Sequence, residues 1–361
     1  MSAIIFHNDQ PIIIAGPCSA ESEAQVLEVA HAVAALGVHV FRAGVWKPRT
    51  RPGAFEGAGT IALPWLQRVQ CEIGLPVATE VALPIHVEQA LKAGIDILWL
   101  GARTVTNPFA VQALADTLRG CAVTVMVKNP VIPDLELWIG ALERLQKAGL
   151  QQLLAVHRGF ACYEEHTLRN APMWQIPIEL HRRMPDLPLL CDPSHIAGRR
   201  AWVADIAQQA MELCFRGLMV EVHCCPDQAV SDSRQQLTPD MLGLLLRQLM
   251  PKITSDSDPE MAELRRQIDL LDDALYETLA RRMAVVRKIG LLKRRRGMTV
   301  LQPQRYNEIL MRRIAAADTL GLDSNFVKKI METVHTETVR LQLIQKKRSS
   351  SPDDSDGQRG R

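Results

Sequence analysis

At 361 residues the chain is long enough for one large domain and a smaller second one. Its hydrophobic content of 47%, charged content of 23% and net charge of +2 are those of an ordinary globular protein and give no footing for nucleic-acid binding. No apolar run reaches the ~20 residues of a membrane span, and the opening MSAIIFHNDQP lacks the basic and apolar segments of a signal peptide.

In chain order, eight short apolar runs predict strands at Ile12–Ile14, Val38–Phe41, Pro76–Ala78, Ile97–Leu100, Val123–Val127, Leu153–Val156, Leu187–Leu190 and Leu218–Val222. Helix-like stretches lie between most of them: Glu21–Leu36, Ile85–Ala93, Asp134–Ala148 and Ala201–Cys214. Gly37, Gly94 and Gly149 stand where helices should stop. Eight strands alternating with helices over about 250 residues predict a closed (β/α)₈ TIM barrel. The rival, an open doubly wound sheet, usually has fewer strands, and no GxGxxG follows the first one. Residues 1–250 are therefore expected to be the barrel. The polar segment 251–258 reads as a linker, and Asp258-Pro259 as the cap and first turn of a helix.

From Met261 the pattern changes. Leu264, Ile268, Leu271, Leu275, Leu279, Met283, Val286, Ile289 and Leu292 recur at three- and four-residue steps, predicting one long amphipathic helix. Second and third helices are expected from about Pro303 to Ala317 and Ser324 to Gln345, giving an all-α unit over 259–347. Three such helices cannot easily bury their apolar stripes within one chain, so a homodimer through this unit is expected. Residues 348–361 read as a disordered polar tail.

A (β/α)₈ barrel does its chemistry at the C-terminal ends of its strands. Two groups stand there. Arg42, Lys47, Arg103, Lys128 and Arg158 form a ring of cations, which would repel one another without a multiply charged anion among them. Cys18, His195, Glu221 and Asp232 form a mixed thiolate, imidazole and carboxylate set that suits a divalent metal such as manganese, cobalt, iron or zinc. Any one of these arginines alone is more often a surface ion pair; their co-occurrence at strand ends favours a site. Cys71, Cys121 and Cys214 are expected to be small core hydrophobes. Cysteines without framework spacing, in a chain this long, fit a reducing cytoplasm.

The segments GPCSAES, FRAGVWKPRT, GART, VMVKNP, CDPSH and EVHCCPDQAVSD appear in order across residues 11–250. Together they resemble the type I-beta 3-deoxy-D-arabino-heptulosonate 7-phosphate (DAHP) synthases. The resemblance implies metal-dependent condensation of phosphoenolpyruvate with erythrose 4-phosphate. It places the metal on Cys18, His195, Glu221 and Asp232, and phosphoenolpyruvate on Arg103, Lys128 and Arg158 with Arg42 and Lys47. Arg49 and Thr50 would meet the aldose phosphate. Lys47 is a candidate for proton transfer near the new alkoxide, and His223 and Glu80 for positioning water. The related eight-carbon sugar-acid synthases typically carry a KANRSS-like stretch where this chain has Lys47-Pro48-Arg49-Thr50, which favours the four-carbon aldose. The Asn129-Pro130 step departs from many family members.

Basic residues along a helix are usually a solvated face, and Arg294-Arg295-Arg296 is expected to be one. Yet LRRQIDLLDDALYETLARRMAVVRKIGLLK resembles the all-helical AroQ class of chorismate mutase over residues 261–345. That resemblance gathers Arg282, Lys293, Arg305, Thr338 and Gln342 in one site, with Arg265 supplied by the partner chain. Arginines would pin the two carboxylates of chorismate, and Lys293 with Gln342 would stabilise charge on its ether oxygen. Gln302 and Tyr306 occupy positions where acidic residues usually stand; a unit that only senses ligand and dimerises is the alternative. With the first strand beginning near Pro11, no N-terminal regulatory domain is expected. The helical unit is then the expected sensor of prephenate, acting on the barrel.

Overall fold

In a computed structural model, residues 11–49, 52–163, 167–249 and 259–347 are described. Thr50, the linker 251–258 and the tail 348–361 lie outside them. The chain divides into two compact units, Met1–Ile253 and Thr254–Arg361.

The first unit is a closed barrel of eight parallel strands. These are β1 (Ile12–Gly16), β2 (Val40–Arg42), β3 (Val77–Val81), β4 (Ile97–Leu100), β5 (Thr124–Lys128), β6 (Leu153–His157), β7 (Leu189–Cys191) and β8 (Gly217–Glu221). β8 pairs back onto β1 through all five β1 residues, from Ile12↔Gly217 to Gly16↔Glu221. The predicted strands are all present, each within a few residues of its expected bounds. Among the helices that follow the strands are α1 (Glu23–Ala34), α2 (Leu63–Arg68), α3 (Pro84–Lys92), α4 (Pro108–Thr117), α5 (Leu135–Lys147), α6 (Gln175–Arg183), α7 (Val203–Glu212) and α8 (Pro239–Gln248). Local chemistry sets their starts: the side chains of Ser22, Asn107, Asp134 and Thr238 accept first-turn backbone N–H groups. Gly37, Gly94 and Gly149 take the left-handed backbone that ends α1, α3 and α5, with φ of 75°, 70° and 96°.

Side chains alternate across each strand, and this alternation builds two layers. Ile12, Ile14, Val40, Ala78, Ile97, Trp99, Met126, Leu154, Val156, Leu190 and Met219 fill the barrel interior. Their sequence neighbours, such as Ile13, Phe41, Leu98, Val127 and Val220, pack outward against the helices. Two residues further along the inward series stand Arg42, Glu80, Lys128, Arg158, Asp192 and Glu221. The same two-residue period that makes the core thus delivers charge to the barrel mouth on six of the eight strands.

His157 falls on the outward series. It is fully buried, with its ring 5.3 Å from Trp174, 5.6 Å from Phe160, 6.0 Å from Phe215 and 6.3 Å from Trp138. Burial pushes its imidazole down to about 3. The unfolded chain takes up this proton near the ordinary value of 6.5, whereas the folded one resists until about pH 3. Stability is therefore complete above pH 6.5 and declines as pH falls below it. The barrel is expected to lose about 2 kcal/mol between pH 7 and pH 5 from this residue. All six tryptophans lie before residue 203, so urea unfolding followed by tryptophan fluorescence reads this unit alone. His157→Leu should flatten the decline; an unchanged slope would remove His157 as its source.

The expected core roles of three cysteines do not hold. Cys71 and Cys214 are exposed and Cys121 is only half-buried. Cys71 and Cys214 lie at helix ends, where the chain turns toward solvent, while Cys191 on β7 is a buried one. All eight cysteines are free.

The second unit is three helices: α9 (Pro259–Arg295), α10 (Pro303–Ala317) and α11 (Ser324–Lys347). α11 packs along both α9 and α10. Val286 and Gly290 of α9 are buried, as are Leu341 and Gln342 of α11. A Cβ on Gly290 would come within 3.3 Å of the Gln342 backbone, so glycine here sets the closeness of the two helices. The first half of α9 is different: Leu264, Ile268, Leu271 and Leu275 are 49–69% exposed. Arg294, Arg295 and Arg296 are exposed, as expected of a solvated face. No described helix is long and apolar enough to cross a membrane.

Candidate active sites

At the barrel mouth Cys18, Glu221 and Asp232 bring ligand atoms within 4.8 Å of one another. Cys18 Sγ is 3.4 Å from Asp232 Oδ2. His195 Nε2 stands 3.8 Å from Glu221 Oε1 and 3.8 Å from Asp232 Oδ2, so all four predicted ligands converge. Each comes from a different segment: the loop after β1, the short helix Pro193–Ala197 after β7, the end of β8, and the loop beyond it. Asp232 takes a left-handed backbone, φ 47°, to turn its carboxylate back into the cluster.

Electrostatics suit a cation. Burial, with Glu221 and Asp232 nearby, pushes the Cys18 thiol up to about 12, against the pull of Lys47 and Arg42. Burial opposes ionisation of Glu221 and Asp232 too. It is outweighed by the surrounding cations, Arg42 and Lys47 at the first and Arg169 and Lys47 at the second, and both carboxyls stay below their ordinary range. Burial lowers His195, keeping it neutral as a metal ligand must be. Glu221 Oε1 makes no hydrogen bond, although Arg42 lies 3.3 Å away. A buried thiol, a neutral imidazole and two carboxylates with an unsatisfied oxygen fit a divalent ion.

Beside the cluster lies a cavity of about 330 Å³. Lys47, Arg49, Arg103, Lys128, Arg158 and Arg169 line it, with Glu80, His195 and Asp232. Five of the predicted anion-binding residues therefore line a cavity that His195 and Asp232 line as well. Arg42 does not line the cavity. It is buried beneath the cluster, its guanidinium 4.8 Å above the centre of the Trp99 ring and facing Glu221. It reaches inward because its position on β2 is one step above Val40 in the interior series. Lys47 reaches both Cys18 Sγ, at 2.9 Å, and the Cys18 carbonyl, at 2.8 Å. His223, expected to position water, does not line the cavity. Its Nδ1 accepts the Cys225 backbone N–H at 2.9 Å, and its Nε2 lies 3.5 Å from Glu21. It shares the strand parity of Glu221 but lies past the end of β8, where the Cys225 N–H and Glu21 hold its ring outside the cavity lining. Glu80 does line the cavity, and Gly101 makes room for it: a Cβ there would sit 2.0 Å from Glu80 Oε1.

Three supporting residues went unassigned in the sequence. Asp192, fully buried, accepts from Lys128 Nζ at 2.7 Å and lies 2.8 Å from His195 Nδ1 through the same oxygen. Its other oxygen accepts the His195 backbone N–H. It thus orients His195, a predicted ligand, and Lys128 of the cation ring together. Asn129, in the departing Asn-Pro step, accepts the Arg158 N–H at 2.7 Å and donates to Gly159 O at 2.9 Å, so the step buttresses Arg158. Arg169 pairs with Asp232 at 3.2 Å and with Gln235 at 2.6 Å. The inward period could have flagged Asp192; Arg169 sits in the loop after β6, where no strand rule reaches.

In the helical unit Arg282 donates to Thr338 Oγ1 at 2.8 Å, and Lys293 to Val300 O at 2.6 Å. Gln342 is 5% exposed, and its Oε1 has no hydrogen-bond partner. Arg305 is exposed and paired with Glu308 at 3.0 Å. Gln302 is exposed, and the Tyr306 ring stacks on His335 with centroids 3.9 Å apart. Arg265 lies seventeen residues before Arg282 on the same helix, roughly 25 Å away along its axis.

A closed parallel barrel that sets a thiol–imidazole–carboxylate cluster against a cationic cavity at its mouth is the arrangement of an enzyme with an anion-binding site. Residues 2–254 match the DAHP synthetase I family, and the chain belongs to it. Residues 264–343 match chorismate mutase type II. The chain is thus a bifunctional shikimate-pathway enzyme with a DAHP synthase domain and a chorismate mutase domain. It is 33% identical over 241 residues to a phospho-2-dehydro-3-deoxyheptonate aldolase of Thermotoga maritima, covering 66% of this chain and 68% of that protein. A crystal structure of a Thermotoga maritima phospho-2-dehydro-3-deoxyheptonate aldolase (DAHP synthase) superposes with a TM-score of 0.60 at 29% identity, over 67% of this chain and 68% of that one. A 2-dehydro-3-deoxyphosphooctonate aldolase of Synechococcus sp. is a further relative, 29% identical over 69% of this chain and 92% of that protein.

Proposed function

We propose that the barrel condenses phosphoenolpyruvate with erythrose 4-phosphate to give DAHP and phosphate, and that the helical unit rearranges chorismate to prephenate. The observation that carries the first half is the shared wall: a ligand cluster within 4.8 Å and a cavity ringed by cations meet at Asp232, with His195 beside it. A divalent ion on Cys18, His195, Glu221 and Asp232 (manganese first, with cobalt, iron or zinc as alternatives) would polarise the aldehyde oxygen of the four-carbon substrate. Arg103, Lys128 and Arg158 would hold the phosphate and carboxylate of phosphoenolpyruvate and present its C3 to that aldehyde. Arg42 acts from below, balancing the buried charge of Glu221. Arg49, with Thr50, would bind the phosphate of the aldose. Lys47 Nζ holds a proton at the cavity edge, where the new alkoxide forms. Free cysteines throughout fit the cytoplasm as its compartment.

In the helical unit Arg282, Lys293, Arg305, Thr338 and Gln342 would hold chorismate. The distance along α9 excludes Arg265 from its own chain's site, and the exposed stripe Leu264–Leu275 offers the surface on which a second copy would bring its Arg265. We infer a homodimer through α9, and prephenate bound at Arg282, Lys293 and Arg305 as a brake on the barrel. A coupling of roughly 1–3 kcal/mol would suffice for that brake.

The deciding experiment supplies metal-loaded protein with phosphoenolpyruvate and either erythrose 4-phosphate or arabinose 5-phosphate. Consumption of phosphoenolpyruvate with the four-carbon sugar alone is expected. Consumption with arabinose 5-phosphate alone would reassign the barrel to the chemistry of the octonate relatives.

A further inference from the structure

The mutase reading leaves one part of its substrate without a partner. Chorismate offers two carboxylates, an ether oxygen and a ring hydroxyl. Arginines take the carboxylates, and Lys293 with Gln342 the ether oxygen. Where an acidic contact for the hydroxyl would be expected, the described residues offer an exposed Gln302 and a Glu308 that pairs with Arg305. The structure places a different pair at this site. On α11, His335, Thr338 and Gln342 are spaced three and four residues apart and share one face. Thr338 is held by Arg282 at 2.8 Å. Tyr306, from α10, lays its ring over His335 with centroids 3.9 Å apart and planes 29° from parallel. Both rings are half-buried.

We propose that the stacked Tyr306–His335 pair binds the ring hydroxyl of chorismate and takes the place of an acidic contact. This assignment rests on the mutase reading above. Its chemistry differs from that of a carboxylate. Burial lowers the His335 pKa, and the nearby Arg282 and Lys293 lower it further, so the imidazole is neutral and can both donate and accept. The tyrosine hydroxyl can do the same. A neutral pair adds no anion to compete with the substrate carboxylates for Arg282 and Lys293. The stack keeps the imidazole in place across two helices, since neither ring can turn without losing the other.

The test pairs two variants with a change in the substrate. Tyr306→Phe keeps the stack and removes the hydroxyl; His335→Ala removes the imidazole, with circular dichroism reporting the helices of the full-length protein. One neutral hydrogen bond corresponds to a fall of roughly three- to tenfold in kcat/KM for chorismate. Each protein is then assayed with chorismate lacking the ring hydroxyl. The intact protein should lose a similar factor, whereas whichever variant removes the contact should lose nothing more. A fold or packing defect would not erase that sensitivity. If both variants, still helical, lose as much as the intact protein when the hydroxyl is removed, the pair does not contact it and the proposal falls. An intact protein inert toward chorismate itself would instead overturn the mutase reading beneath it.

Discussion

Cys18→Ala is expected to abolish condensation, by well over a hundredfold, while leaving chorismate rearrangement intact. Loss of an outer-shell partner of a metal site already costs about 10–100-fold in affinity or activity, and here one of four proposed ligands, itself fully buried, would be removed. Cys18 also anchors Lys47, whose Nζ donates to its carbonyl at 2.8 Å and lies 2.9 Å from its sulfur. The backbone contact survives the substitution, so Lys47 should stay in place and the defect should be one of metal retention. Metal content after dialysis, measured beside both activities, separates these effects. A chelator should reproduce the loss, and added manganese should reverse it in the natural sequence only. Full condensation in metal-free protein would end the metal-dependent account.

Arg282→Ala is expected to remove mutase activity by about a hundredfold or more, the usual consequence of deleting a preorganised charge-stabilising donor. It should also relieve any slowing of the barrel by prephenate, because the same guanidinium would hold that ligand. The variant loses one hydrogen bond to Thr338, and the packing at Val286, Gly290 and Leu341 remains, so the helices should persist. Condensation assayed with and without prephenate, in the intact and substituted proteins, checks both parts. An intact barrel indifferent to prephenate would sink the regulatory half; normal turnover of chorismate by the variant would move the mutase site elsewhere.

The barrel was legible because its two periodicities are strong. Apolar runs separated by capped, glycine-terminated helices admit few other folds, and β1 to β8 formed close to where they were expected. The convergence of Cys18, His195, Glu221 and Asp232, and the cavity lining by most of the cation ring, were legible for the same reason, since strand ends point to the mouth. What escaped depended on direction. Arg42 and Lys128 both end strands, but only the three-dimensional closure of the barrel shows that Arg42 lies under the cluster while Lys128 reaches the cavity. His223 has the same strand parity as Glu221, yet it lies past the end of β8 and its ring is held by the Cys225 N–H and Glu21, which no period foretells. Arg169 depends on the fold of a long loop, which carries no period. In the helical unit the lengths of α9, α10 and α11 followed from pattern alone. The stacking of Tyr306 on His335 joins residues on different helices and had no linear signal.

The length of α9 has a further consequence for how the two activities scale. On the proposed reading, a mutase site takes Arg282 from one chain and, with Arg265 roughly 25 Å off along the helix, an Arg265 from another. The proposed condensation site is built from residues of the barrel unit. On dilution below the dimer's dissociation constant, mutase output should therefore fall with the square of chain concentration, while condensation falls in simple proportion. The ratio of the two rates then reads out the state of assembly, with no label and no separation of species.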